Sequence, residues 1–152
     1  MNATPILDFL TLFCAGILAG MEIVIHYGLR APAEELVERA QIQLRQALIL
    51  RLRLLVPAFF LPALLAGVAV TLLHGSGLGF WLRCAGLVAM LIWIAIRVIG
   101  TVPLNSATLT WPLDAPPKNW KALVDHAERF HSVGVLAAVS AFALFLAALA
   151  LS

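Results

Sequence analysis

Four side chains able to ligate a metal ion lie inside long apolar stretches of this sequence. Glu22 and His26 are four residues apart near the end of the first stretch, and Glu128 and His131 are three residues apart near the start of the last. Because residues three or four apart share a face of a helix, each pair would point in one direction. Glu-x-x-His pairs on facing helices ligate metals in four-helix bundles. The spacing therefore predicts a metal site formed by Glu22, His26, Glu128 and His131.

The donor set also limits which metal the site would hold. Two carboxylates and two imidazoles suit iron, copper, manganese or zinc, and we favour iron or copper. Arg97 lies in another apolar stretch, where we expect it to hold a ligating carboxylate ionised or to bind an anionic intermediate. Asn105 follows it and is expected to hydrogen-bond a substrate phenol or carbonyl. Arg97 and Asn105 are therefore the predicted catalytic residues.

Composition indicates the class of protein that carries these residues. Hydrophobic residues make up 62% of the 152 residues, charged residues make up 12%, and the mean hydropathy is +1.00. A soluble domain carries about twice that share of charge. The composition therefore argues against a disordered protein, a nucleic-acid-binding protein and an ordinary cytosolic enzyme. It predicts a polytopic membrane protein whose principal partner is the lipid bilayer.

Four apolar stretches are long enough to cross a hydrocarbon layer of about 30 Å as helices. We expect an all-α membrane four-helix bundle in a single domain, 1–152, with spans at about 6–29, 54–73, 82–104 and 128–151. Polar helical extensions are expected on the cytoplasmic side. One would begin at 31–35 and continue to residue 56, with kinks at Pro57 and Pro62, and another would begin at Lys118. The proline-rich segment 103–117 is expected to be an ordered loop.

The distribution of basic residues predicts the orientation of the bundle. Segment 30–53 carries five arginines and segment 105–129 carries three basic residues, whereas both termini carry none. Because Lys and Arg concentrate in cytoplasmic loops, both termini are expected outside the cytoplasm, and the membrane is expected to be a bacterial inner membrane. The candidate site then falls in the cytoplasmic leaflet, between the first, third and fourth helices.

Other residues have structural interpretations. Gly16 and Gly20 form a Gly-x-x-x-Gly pattern, which favours close helix packing either within the bundle or between protomers of a homo-oligomer. Aromatic residues near the cytoplasmic ends are expected to anchor the interface or to wall the mouth of the site; they are Trp111, Trp120 and Phe130.

Several short motifs resemble those of one family. They are the run 101–105 (Thr-Val-Pro-Leu-Asn), the glycines before Glu22, Trp120, and Arg-Phe-His at 129–131. Over roughly residues 10 to 145 the chain resembles a family of small four-helix membrane proteins that includes fungal anthrone oxygenases. The resemblance implies an oxygenase or oxidase acting on a small, electron-rich aromatic, with Asn105, His131 and, less directly, Trp120 at motif positions. One departure concerns Gly134, where the family often carries arginine.

The sequence therefore predicts a metal-dependent membrane oxidoreductase or oxygenase that acts on a small lipophilic substrate, with O₂ as a candidate co-substrate. Three alternatives remain open at this stage. His26 and His131 could be axial ligands of haem b. Glu22 could exchange protons in a transporter. Glu22, Arg97 and Glu128 could form an ion-pair network in a non-enzymatic scaffold.

Overall fold

The computed structural model describes residues 3–151 and is all-α. It is 87% helical, with no strand in the described part of the chain, which confirms the predicted class. In chain order the elements are α1 (Thr4–Ile23), a first π-helical turn (Val24–Gly28), α2 (Arg30–Glu34), α3 (Glu38–His74), α4 (Leu78–Ile96), a second π-helical turn (Arg97–Thr101), α5 (Val102–Thr108) and α6 (Trp120–Ala150).

Four continuous helical stretches are long and apolar enough to cross a membrane, which confirms the predicted four-helix bundle. They are Thr4–Gly28, Glu38–His74, Leu78–Thr108 and Trp120–Ala150. In the described residues α1 packs against α3 and α6, and α4 packs against α3 and α6. Consecutive helices are therefore neighbours around a ring, and α1 and α4 lie across the bundle from each other.

The polar extensions differ from the predicted ones in their boundaries. The helix expected to run from 31 to 56 is interrupted, because Val37 adopts an extended backbone (φ −62°, ψ 149°) and α3 begins only at Glu38. Helix α3 then continues through both Pro57 and Pro62. The expected loop 103–117 is helical as far as Thr108, and Pro103 lies in the first turn of α5, directly after the second π-helical turn. The last helix begins at Trp120 rather than at Lys118.

A well-packed core occupies the middle of the bundle. All four spanning helices contribute to it, and Trp93, Ala63 and Met90 are essentially inaccessible to solvent. Gly16 lies against this core, since a Cβ there would be 3.1 Å from the ring of Phe142 on α6, whereas Gly20 has nothing within 4 Å. The first glycine of the Gly-x-x-x-Gly pattern therefore packs within the chain.

A smaller core fastens the segment between α5 and α6 onto the polar part of α3. Trp111 and Trp120 are buried around Ile42, whereas residues that anchor a membrane interface would be exposed. Trp120 Nε1 donates a 2.6 Å hydrogen bond to Glu38, and Gln46 donates to the backbone carbonyls of residues 108 and 111. These contacts hold segment 109–119 in place, so that α3 and α6 keep a fixed relation. We call this end of the bundle the basic end, because segments 30–53 and 105–129, which lie there, carry most of the Lys and Arg residues.

An ion pair crosses the bundle near the opposite end. Arg83 of α4 donates to Asp8 of α1 at 3.2 Å, and their side chains are 2% and 12% exposed. In the sequence these residues lie at the margins of two apolar stretches. The pair neutralises both charges inside the bundle, where an isolated charge is costly.

Removing one member of this pair is predicted to cost more than removing both. Asp8→Ala leaves Arg83 buried beside a missing carboxylate, and breaking a buried pair costs about 3–5 kcal/mol of unfolding free energy. Asp8→Leu combined with Arg83→Met removes both charges and is predicted to recover most of that loss. Thermal unfolding of the detergent-purified variants measures the effect. A double variant less stable than Asp8→Ala would contradict the prediction.

Candidate metal centre and adjoining cleft

Both π-helical turns carry a residue of the candidate site. His26 lies in the first turn, and Arg97 begins the second. A π-helical turn contains one more residue than an α-helical turn would, and such turns are frequent at functional sites. The side chains of His26 and Arg97 are 9% and 13% exposed, so both face the interior at the basic end of the bundle.

Glu22 pairs with Arg97 across the bundle. Arg97 donates to one oxygen of Glu22, which is fully buried, and the other oxygen, Oε2, lies 3.0 Å from Nε2 of His131. That contact has ion-pair distance but not the direction of a hydrogen bond, so Oε2 and Nε2 have no hydrogen-bond partner among the described residues. Arg97 also lies over the ring of Trp93, 5.4 Å from its centroid. The two carboxylate oxygens of Glu22 therefore contact Arg97 and His131, one each.

The remaining three predicted ligands form a separate cluster. Oε2 of Glu128 lies 3.3 Å from Nδ1 of His26 and 3.6 Å from Nδ1 of His131. One ligand atom from each of the three residues lies within 4.8 Å of the others. Neighbouring ligands bound at about 2.0–2.2 Å are expected roughly 3 Å apart, so this cluster could close on a metal ion with little movement.

Each member of the cluster also contacts a side chain outside the cluster, through the nitrogen or oxygen atom that does not face the other two members. Nε2 of His26 lies 3.3 Å from the Ser132 hydroxyl, and Arg45 lies 3.4 Å from Oε1 of Glu128. Nε2 of His131 faces Glu22, as described. A metal-ligating histidine usually presents its second nitrogen to a carboxylate or another polar group. The set therefore fits a metal ion bound by His26, Glu128 and His131, with Glu22 behind His131 rather than on the metal.

A cleft of about 440 Å³ leads to this cluster. It lies between α3 on one side and the end of α4, the second π-helical turn and α5 on the other, and Glu128 and His131 of α6 are at its inner end. Its walls are mainly apolar, with polar groups from Thr101, Asn105 and three arginines. Its size falls within the range of small-molecule pockets, about 300–1,000 Å³.

The structure thus brings together the sequence-predicted residues in two groups. Glu22, Arg97 and His131 form one, His26, Glu128 and His131 form the other, and Asn105 lines the cleft beside them. Sequence reasoning missed Arg45, which looked like one of many surface arginines, and Ser132. The position of Ser132, four residues after Glu128 on the same helix face, was the available signal, and its hydroxyl bonds back to the Glu128 carbonyl at 2.9 Å.

No family model, curated protein or solved structure matches this chain.

The second π-helical turn depends on a close approach to α6. A Cβ added at Gly100 would overlap the ring of Phe130, so no other residue fits without displacing that ring. Gly100→Ala is predicted to lower the unfolding free energy by about 1–3 kcal/mol through overpacking. Gly20→Ala is the matched control, because a Cβ there meets nothing within 4 Å. Thermal unfolding in detergent compares the two, and equal melting temperatures would contradict the prediction.

Proposed function

We propose that this protein is a membrane oxidoreductase with a single metal ion bound by His26, Glu128 and His131. The observation that carries the proposal is the convergence of two imidazoles and one carboxylate within 4.8 Å at the inner end of a cleft. Two histidines and one carboxylate with open positions are the ligand set of non-haem iron sites that activate O₂. Iron is therefore the favoured metal, with copper, manganese and zinc as alternatives.

The surrounding residues would give the site its other properties. Glu22, fixed by Arg97, would keep the ring of His131 oriented, and Arg45 would hold the carboxylate of Glu128. Asn105 on the cleft wall would orient a polar atom of the substrate, and the apolar walls would exclude water from the reacting atoms. The resemblance of the run 101–105 to a family that includes fungal anthrone oxygenases supports an oxygenase or oxidase acting on a small lipophilic substrate.

The same geometry favours this metal centre over the haem alternative. The rings of His26 and His131 are 5.2 Å apart, and both approach the same oxygen of Glu128. Axial haem ligands stand on opposite faces of a porphyrin, which would have to pass between these rings. The ion-pair network and the metal cluster, in contrast, use different residues around His131 and are compatible with each other.

Metal binding is the first test of the proposal. Purified protein reconstituted with ferrous iron is predicted to retain about one metal per chain, measured by elemental analysis, and to show no Soret absorbance. His26→Ala and Glu128→Ala are predicted to lose the metal. His126→Ala is the matched control, because His126 is an exposed histidine on α6 that contacts Phe130 rather than the cluster.

Glu22→Gln distinguishes a ligand from an orienting residue. Loss of an outer partner of a metal ligand typically weakens metal affinity about 10–100-fold, so this variant is predicted to bind iron more weakly but still stoichiometrically at high concentration. Wild-type protein that retains none of iron, copper, manganese or zinc would overturn the proposed centre. A Glu22→Gln variant that never binds metal would place Glu22 among the ligands.

Oxygen consumption tests the reaction class. Iron-loaded protein supplied with a lipophilic hydroquinone is predicted to consume O₂, and Asn105→Ala is predicted to raise KM more than it lowers kcat, because Asn105 lines the cleft without touching the metal cluster. An oxygen electrode measures both constants. Iron-loaded protein without uptake on any electron-rich aromatic would overturn the oxidoreductase assignment while leaving the metal site in place.

A further inference from the structure

Several residues that line the cleft carry hydrogen-bond donors without an acceptor in the described part of the chain. Among the residues that line the cleft, three have a buried N–H group without a hydrogen-bond partner in residues 3–151, namely Arg45 (Nε), Arg97 (Nε) and Trp93 (Nε1), besides Nε2 of His131, which faces Glu22. All three residues line the cleft, and Trp93 is fully buried. Buried polar groups in folded proteins are nearly always paired. Three unpaired donors in one cleft therefore indicate a ligand that presents acceptor atoms.

The balance of charge around the cleft indicates the sign of that ligand. Arg97 is neutralised by Glu22 and Arg45 by Glu128, the one carboxylate that lines the cleft. Arg53 lines the cleft as well and is exposed on α3, with no acidic partner in the described part of the chain. With the histidines neutral and no metal ion bound, the cleft carries one uncompensated positive charge, which complements a ligand with one negative charge.

The rest of the cleft wall is apolar and reaches the level of the predicted membrane spans. Leu48, Leu52 and Val56 contribute one side from α3, and Ile94 and Val102 contribute the other. Pro57, Val102 and Ser106 are exposed at its edges, so the cleft opens on the flank of the bundle between α3 and the third spanning helix. A hydrocarbon chain or ring system could occupy this part without leaving the bilayer.

We propose that the cleft binds a lipophilic carboxylate that enters from the membrane. Its headgroup accepts hydrogen bonds from the unpaired donors of Trp93 and Arg97 and pairs with the charge of Arg53, and its apolar part lies between α3 and the third spanning helix. A role for this ligand as substrate rests on the proposed metal centre, whereas its binding does not.

A competition assay tests the proposal on the full-length protein in detergent. Tritiated palmitate, counted by scintillation proximity, is expected to bind saturably and to be displaced by unlabelled palmitate. Hexadecanol has the same chain without the charge and is expected to compete at least about tenfold more weakly, since charge-assisted hydrogen bonds are roughly twice as strong as neutral ones. Equal competition by palmitate and hexadecanol would overturn the requirement for an anion.

Matched variants locate the bound headgroup. Arg53→Gln is expected to weaken palmitate binding about tenfold, and this exposed position should tolerate the change. Arg51→Gln is the control, because Arg51 is also exposed on α3 but does not line the cleft. Trp93→Phe, which keeps an aromatic ring but removes the N–H donor, is expected to weaken binding as well. Equal loss in the Arg51 and Arg53 variants would mean general attraction to a basic helix and would overturn the proposed site.

One further variant separates this proposal from the metal centre. His26 belongs to the proposed ligand set but does not line the cleft. His26→Ala is therefore expected to lose metal and to bind palmitate with unchanged affinity. Loss of palmitate binding in this variant would contradict a headgroup site formed by Trp93, Arg97 and Arg53. Metal-free wild-type protein that still binds palmitate would support the carboxylate site even if the proposed oxidoreductase function fails.

Discussion

Charge buried between apolar helices must be neutralised, and two ion pairs across the bundle meet this requirement. Asp8 pairs with Arg83 near one end, and Glu22 pairs with Arg97 near the other. Both pairs join α1 to the helix diagonally opposite. The acids are 14 residues apart and so are the arginines, which corresponds to about 21 Å of helix rise. Because the first and third spanning helices run in the same direction, the equal spacing lets both pairs form at once. The two pairs together fix the position of one helix relative to the other along the bundle axis.

The side-chain contacts at the basic end follow from this axial position of the two helices. Once Glu22 is engaged by Arg97, its second oxygen faces His131, and His131 turns its other nitrogen toward Glu128. Glu128 in turn lies between Arg45 and His26. The ion-pair network and the cluster of His26, Glu128 and His131 are therefore successive parts of one chain of contacts, and the first part orients the second.

The sequence predicted the class, the four spanning helices and the shared faces of the Glu22–His26 and Glu128–His131 pairs. These follow from hydropathy and from helical periodicity, which are local. It did not predict the break at Val37, the contact of Arg45 with Glu128, or the meeting of Asp8 with Arg83, because each depends on which helices become neighbours. The equal 14-residue spacing was the one sequence signal for the diagonal pairs. Of the four predicted ligands, three form the cluster (His26, Glu128 and His131) and Glu22 lies outside it. This division depends on side-chain directions, which helical periodicity does not give.

The two π-helical turns make the site sensitive to chain length as well as to residue identity. Each turn holds one residue beyond the α-helical repeat and takes it up within the turn, so deletion of a single residue within 24–28 or 97–101 would restore an ordinary α-helix, change the side chains of the turn itself and leave the residues after it facing as before. Related chains without that residue would keep the same hydropathy profile and the same inward-facing side chains on either side of the turn. Alignments of such chains therefore need a one-position gap in these turns, and without it residues of unlike orientation would be paired as equivalents.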